Sequence, residues 1–188
     1  MKLSELAVHV IEAAEAEKVA FMTVGAIAAG VYGVPRSTRD IDLLVSVQLP
    51  GNIDRLMKRL STIVEFDPQV SFDTLTRGAR HVGISSSSPP YKVELFETFD
   101  DPFVIAECER RHKVFVPLLD RETWLPTPED VVVQKLRWGR NKDLDDARDV
   151  RAVQGPETLD MPYIENRCSQ HRTLERLHEA LAGIPPLD

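Results

Sequence analysis

The chain has 188 residues, 43% of them apolar, and a net charge of −7. That length suits one domain, or one domain with a small helical extension, and the apolar fraction can build a sizeable core. The acidic balance argues against broad, non-specific nucleic-acid binding, which needs a basic face, while leaving room for a local basic groove.

In chain order, Ser4 to Lys18 reads as an amphipathic helix with Leu3, Leu6, Val10 and Ala13 at helical spacing and Ser4 as its cap. Val19 to Val24 is a short apolar run, read as a strand. Gly25 breaks the pattern, and AIAAGVYG reads as a short helix of small residues. Asp40 to Val47 is a strand with two carboxylates at its start. Pro50 opens a helix, NIDRLMKRL, with Ile53, Leu56, Met57 and Leu60 on one face. Ile63 to Phe66 reads as an edge strand, and His81 to Ser85 and Tyr91 to Glu97 as two more. The polar SSSSPP between the last two suits an exposed connecting loop.

Asp101 to Arg111 reads as helical, and Val114 to Leu119 with Thr123 to Leu125 as a hairpin around DRE. In TPEDVVVQKLRWGR, Thr127 can cap, Pro128 fits the first helical position, and Asp130 falls where a capping-box carboxylate belongs. Lys142 to Val153 is a second helix, and Met161 to Ala182 supplies one or two more. Strands thus concentrate before residue 126 and helices after it. The expected fold class is α+β: a mixed β-sheet core with flanking helices over residues 1–126, and a C-terminal helical region over residues 127–188. Cys108 and Cys168 lack metal-ligand spacing and read as thiols of a reducing compartment. No continuous apolar stretch reads as a signal peptide or a membrane span, so the expected location is the cytoplasm, without a membrane partner.

The chemistry concentrates in RSTRDIDLLV, residues 36–45. Strand side chains alternate, so Asp40 and Asp42 share a face, with Cα atoms about 6.6 Å apart at ~3.3 Å per residue. Ile41, Leu43 and Val45 take the other face. Two close like charges repel unless a cation intervenes, and Mg²⁺ prefers one or two carboxylates plus phosphate oxygens. YKVELFE repeats the same grammar and offers Glu94 between Val93 and Leu95. If the two strands are neighbours, three carboxylates converge, enough for a site holding two Mg²⁺ ions. Alternatively, Glu94 is an edge-strand carboxylate paired with Lys92. Glu97 falls on the Val93 face. Before the aspartates, Gly25 ends a strand and opens a helix whose N–H groups can hold phosphate oxygens. Arg36, Thr38 and Arg39 add donors nearby.

Taken together, VGAIAAGVYGVPRSTRDIDLLV resembles the active-site motif of the nucleotidyltransferase superfamily with the DNA polymerase β palm-type fold. Gly25, Asp40, Asp42 and Glu94 match that pattern in order. TPEDVVVQKLRWGRNKDLDD resembles the helices of AbiEii-type minimal nucleotidyltransferases, with Lys135, Lys142, Asp143 and Asp146 at the matching positions. The resemblance spans roughly residues 20 to 150. It implies that Asp40 and Asp42 bind Mg²⁺ on a nucleoside triphosphate, and that Glu94 completes the metal site or takes the acceptor's proton. It also implies that Gly25, Ala26, Arg36, Thr38, Lys135 and Asp143 hold the nucleotide. Pyrophosphate would leave as a nucleoside monophosphate passes to a hydroxyl. Lys135 also reads as a snorkelling lysine beside Val131 and Leu136. The family usually has Gly or Ser where this chain has Ala26, so a phosphate-holding hydroxyl is missing.

The acceptor stays open at this level: a small molecule such as an aminoglycoside, a protein side chain or a tRNA end, the last disfavoured by the acidic charge. The alternative is a catalytically weak nucleotide-binding module of a toxin–antitoxin type system, for which Ala26 is the support.

Overall fold

The computed structural model describes residues 1–46, 52–98 and 100–182. In chain order these form α1 (Leu3–Ala16), β1 (Phe21–Thr23), α2 (Gly25–Tyr32), β2 (Asp40–Ser46), α3 (Asn52–Leu60), β3 (Val64–Phe66), β4 (Ser71–Asp73), β5 (Gly78–Ser85) and β6 (Lys92–Thr98). There follow α4 (Pro102–Arg110), β7 (His112–Val116), a 3-10 turn (Pro117–Leu119), β8 (Arg121–Leu125), α5 (Pro128–Trp138), α6 (Asn141–Gln154), α7 (Met161–Gln170) and α8 (Leu174–Ala182). The fold is α+β, as the patterning predicts. Val47, expected to end the second strand, and Pro50, expected to open a helix, lie outside the described residues. Among the described residues, no helix is long and apolar enough to cross a membrane.

The chain divides into two compact units. Met1–Gly25 with Ser37–Pro126 forms one, and Ala26–Arg36 with Thr127–Asp188 the other. In the first, the sheet order is β1-β2-β6-β5-β3, with β4 also on β5. β2 and β6 run parallel, and the remaining pairs are antiparallel. A parallel pair needs a long crossover, and α3 with β3 to β5 lies in that stretch of chain. One face of the sheet is apolar, because Ile41, Leu43 and Val45 alternate in register with Val93 and Leu95, all 0–1% exposed. α1 packs on α3 and on the 3-10 turn, burying Leu6, Val10, Ile11 and Ala14. Each large aliphatic chain so buried contributes about 1.5–3 kcal/mol.

Local departures from the expected elements have local causes. α1 starts one residue early, with the Lys2 backbone N–H donating to Glu5 Oε2 at 2.8 Å rather than Ser4 acting as cap. Asp101 is the cap of α4 and not its first residue, accepting from the N–H groups of Phe103 (2.9 Å) and Val104 (3.2 Å). In the β7–β8 hairpin the first strand ends at Val116, paired with Arg121. Pro117 has no N–H to continue the ladder, so the chain turns through Pro117–Leu119 and a left-handed Asp120 at φ 50°. β4 had no periodic signal: SFD is only three residues long.

In the second unit α5 packs on α6 and α7, and α8 on α6 and α7. Thr127 caps α5, its hydroxyl accepting from the Asp130 N–H at 3.2 Å. The Asp130 carboxylate, expected in a capping box, accepts the Tyr163 hydroxyl at 2.8 Å and so ties α5 to α7. Ala26–Arg36, which the pattern of strands then helices assigned to the sheet unit, groups with the helices. Gly33 lets it do so: a Cβ there would lie 2.7 Å from the Val150 backbone nitrogen. Gln154 adds a bond from Nε2 to the Tyr32 carbonyl at 2.7 Å. Burial drives the Tyr32 phenol well above its ordinary pKa, with the Glu129 charge adding to the shift.

Candidate active site

The polar face of the sheet is built by register. Asp40 is the first residue of β2, and its N–H donates to Thr38 Oγ1 at 3.1 Å, which orders the strand start. Across the parallel ladder Asp40 is paired with Lys92 and Asp42 with Glu94. Paired residues point to one side, so both aspartates, Glu94 and Lys92 share a face. Arg80 on β5 joins them, being paired with Phe96, two residues from Glu94.

Two cations meet the carboxylates on this face. The Lys92 ammonium lies 2.9 Å from Glu94 Oε2 and 3.5 Å from Asp40 Oδ1. Arg80 Nη2 lies 2.5 Å from Glu94 Oε1, with its guanidinium 5.9 Å from the centre of the Phe96 ring. Burial works to lower the Lys92 pKa, but Glu94 and then Asp40 override it, and the net shift is upward. Glu94 is therefore paired with Lys92, but on a strand flanked by β2 and β5 rather than at an edge. Glu97 takes the opposite face, its Oε1 2.5 Å from His81 Nε2.

Asp42 is 8% exposed and shares its place with Gly25. Gly25 sits at φ +67°, and a Cβ there would lie 2.0 Å from Asp42 Oδ2. The Val24 N–H donates to the Asp42 carbonyl at 2.9 Å, which holds the two segments in this approach. The glycine is thus required twice, for its left-handed backbone and for the carboxylate that fills the space of a side chain. Gly25→Ala is expected to displace the Asp42 carboxylate and to cost more than the ~1 kcal/mol of the left-handed backbone alone. Chemical denaturation checks this, and a change within 0.5 kcal/mol would contradict it. Ala26, the next residue of α2, is 8% exposed.

Of the remaining residues of the resemblance, Arg36, Lys135, Asp143 and Asp146 meet in the second unit in one ion network, in which Lys135, Asp143 and Asp146 are buried. Arg36 grips Asp146 with two bonds, Nε to Oδ1 at 2.7 Å and Nη2 to Oδ2 at 2.9 Å. The Lys135 ammonium lies 2.7 Å from Asp146 Oδ2 and 3.3 Å from Asp143 Oδ1. Arg140 completes the set, with Nε 2.5 Å from Asp143 Oδ2. The Trp138 ring carries Lys135 Nζ at 5.4 Å and the Arg140 guanidinium at 5.0 Å from its centre. Burial works to raise the Asp146 pKa, but Arg36 and Lys135 bring it below the usual carboxylate range. Lys135 is 3% exposed, so it is not the snorkelling lysine of the second reading, whose ammonium would reach water. Lys142 is exposed.

Among the described residues, no three His, Cys, Asp or Glu side chains gather closely enough to hold a metal ion. The three carboxylates expected to converge do share a face, but Lys92 reaches two of them. The donor set still fits a hard dication: Asp40 and Asp42 offer carboxylate oxygens on one strand face. Lys92 shows that a cation is already drawn to Asp40 and Glu94. Arg80 was not picked out from the sequence. Alternation within GARHVGIS sets its face relative to Val82, but only the β5–β6 register brings it to Glu94.

Several solved structures share this fold. The antibiotic-resistance factor ANT(2'')-Ia in solution superposes with a TM-score of 0.62 at 13% identity, covering 94% of this chain and 96% of that one. A crystal structure of ANT(2'')-Ia in complex with adenylyl-2''-tobramycin gives 0.62 at 13% identity, over 92% of this chain and 98% of that one. An antigenic nucleotidyltransferase-like protein from Paracoccidioides brasiliensis gives 0.52 at 17% identity, over 100% and 96%. A search of curated protein sequences finds no match. The family described as "Nucleotidyltransferase of unknown function (DUF6036)" matches residues 1–180. With nearly the whole chain matched and its fold shared by such enzymes, the protein belongs to this family and is a nucleotidyltransferase.

Proposed function

We propose that the protein moves a nucleoside monophosphate from a nucleoside triphosphate to a hydroxyl of a small acceptor, with Mg²⁺ bound and pyrophosphate released. The observation that carries this reading is the shared face of Asp40, Asp42 and Glu94, with Gly25 yielding its side-chain space to Asp42. Asp40 and Asp42 would hold the dication, which when bound neutralises phosphate charge and aligns the triphosphate. Gly25 fixes where the Asp42 carboxylate can stand. Backbone N–H groups at the start of α2, from Gly25 and Ala26, suit phosphate oxygens, since a helix N-terminus favours an anion. Arg80 holds Glu94 in orientation, so that Glu94 can accept the acceptor hydroxyl's proton. Thr38 holds the start of β2 in place.

In the helical unit, Arg36, Lys135 and Arg140 carry three positive charges against two on Asp143 and Asp146. That surplus supports phosphate contacts for Arg36 and Lys135, with Asp143 orienting Lys135. A net charge of −7 suits a cationic or neutral small acceptor better than tRNA. ANT(2'')-Ia, a protein of the same fold, has been crystallised with an adenylylated aminoglycoside, adenylyl-2''-tobramycin.

The test is incubation with each α-labelled nucleoside triphosphate, Mg²⁺ and a cell extract, with pyrophosphate measured in parallel. Label on a small hydroxylated compound with stoichiometric pyrophosphate is the expected outcome. Nucleotide binding without turnover would instead favour the second reading, a catalytically weak nucleotide-binding module of a toxin–antitoxin type system, to which the missing hydroxyl at Ala26 points.

A further inference from the structure

We propose that Lys92 is a built-in counter-ion that competes with the divalent cation, so that metal binding requires its ammonium to leave Asp40 and Glu94. The inference rests on reading these carboxylates as a metal site. Lys92 Nζ lies 3.5 Å from Asp40, one of the two carboxylates that would hold the dication, and 2.9 Å from Glu94 beside them. An ammonium and a dication at one carboxylate repel each other, and the repulsion strengthens as the surroundings become drier. Glu94 has a side-chain exposure of only 9%.

The surroundings allow the exchange. The Lys92 backbone is fixed, its N–H donating to the Arg39 carbonyl at 2.9 Å and its register set against Asp40. Its side chain is 32% exposed, so the flexible stem can carry the ammonium into water. Arg80 remains on Glu94 through its own contact, so Glu94 is not stranded when Lys92 departs. Arg80 is also the more rigid partner, a planar fork laid beside the Phe96 ring. The two cations therefore divide the work: Arg80 holds Glu94 permanently, and Lys92 holds the metal's place until metal arrives.

The test is titration of the nucleotide-free protein with Mg²⁺ alone, by calorimetry, for wild type, Lys92→Gln and Lys92→Arg. Lys92→Gln is expected to bind Mg²⁺ about tenfold more tightly, about 1.4 kcal/mol, while Lys92→Arg stays near wild type. Equal or weaker binding by a folded Lys92→Gln would overturn the counter-ion role while leaving the metal reading standing. If neither wild type nor Lys92→Gln binds Mg²⁺, the metal reading fails and takes this inference with it. A measurement on wild type alone serves where the variants fold poorly: acylation of Lys92 by an amine-reactive reagent, followed by mass spectrometry. Mg²⁺ is expected to increase that acylation severalfold, and an unchanged yield would overturn the exchange.

Discussion

Asp42→Asn is expected to leave a folded protein whose nucleotidyl transfer falls by at least about 10³-fold, some 4 kcal/mol of lost transition-state stabilisation. The substitution keeps the shape of the side chain that fills the space above Gly25, so steric disruption does not explain a loss. What changes is charge: a neutral amide is a much poorer ligand for a dication, and on the proposed reading the triphosphate would lose its neutralising partner. Stability should hold or rise slightly, because one of the like charges on this face is gone. Thermal melts with and without Mg²⁺ and nucleoside triphosphate separate the two effects. Ligand should raise the wild-type Tm by mass action and leave the variant's unmoved. Equal ligand-induced shifts, or undiminished transfer, would reduce the two aspartates to a polar strand end.

The parts of the fold legible in the sequence are those written in period and punctuation. The helix over residues 52–60 is legible because its apolar positions fall on one face. α5 is legible from Thr127 and Pro128, since a cap and a first-turn proline both mark a start. Alternation alone assigns Asp40, Asp42 and Glu94 to faces of their strands, and assigns Glu97 to the other face of its own. Alternation does not say which strands are neighbours. The β2–β6 pairing that sets Glu94 opposite Asp42 is a long-range fact with no local signal, and the polar loop joining β5 to β6 does not fix the register that brings Arg80 to Glu94. Unit membership was hidden for the same reason. The run of small residues after Gly25 reads as a helix, but its grouping with the C-terminal helices rests on long-range contacts: Gly33 against the Val150 backbone, Gln154 on the Tyr32 carbonyl and Arg36 on Asp146.

Lys135 poses the sharpest remaining contrast, between a phosphate ligand and a structural ion. Lys135→Met is expected to destabilise the protein by about 3–5 kcal/mol, the cost of breaking a buried ion pair from one side. That corresponds to roughly 6–20 °C in Tm for a chain of this size. The Asp143 side chain is fully buried and that of Asp146 is 4% exposed, so neither can recover its hydration in place. Arg36 and Arg140 remain beside them, which sets the expectation at the lower end. The pH dependence has a definite sign. Asp146 is shifted downward when folded, burial notwithstanding, by Arg36 and Lys135. Its contribution is therefore complete above its unfolded pKa and lost as pH falls through the folded one. Acid melts of wild type should lose stability there, and Asp146→Asn should give a flatter profile from a lower starting point. Nucleotide affinity measured on the same Lys135→Met protein separates the two roles. A large fall in Tm with affinity retained would make Lys135 a structural cation, held by its carboxylates. A drop in affinity with Tm changed by less than 1 °C would instead make it a phosphate ligand, and would mean that Arg36 and Arg140 suffice for the buried aspartates.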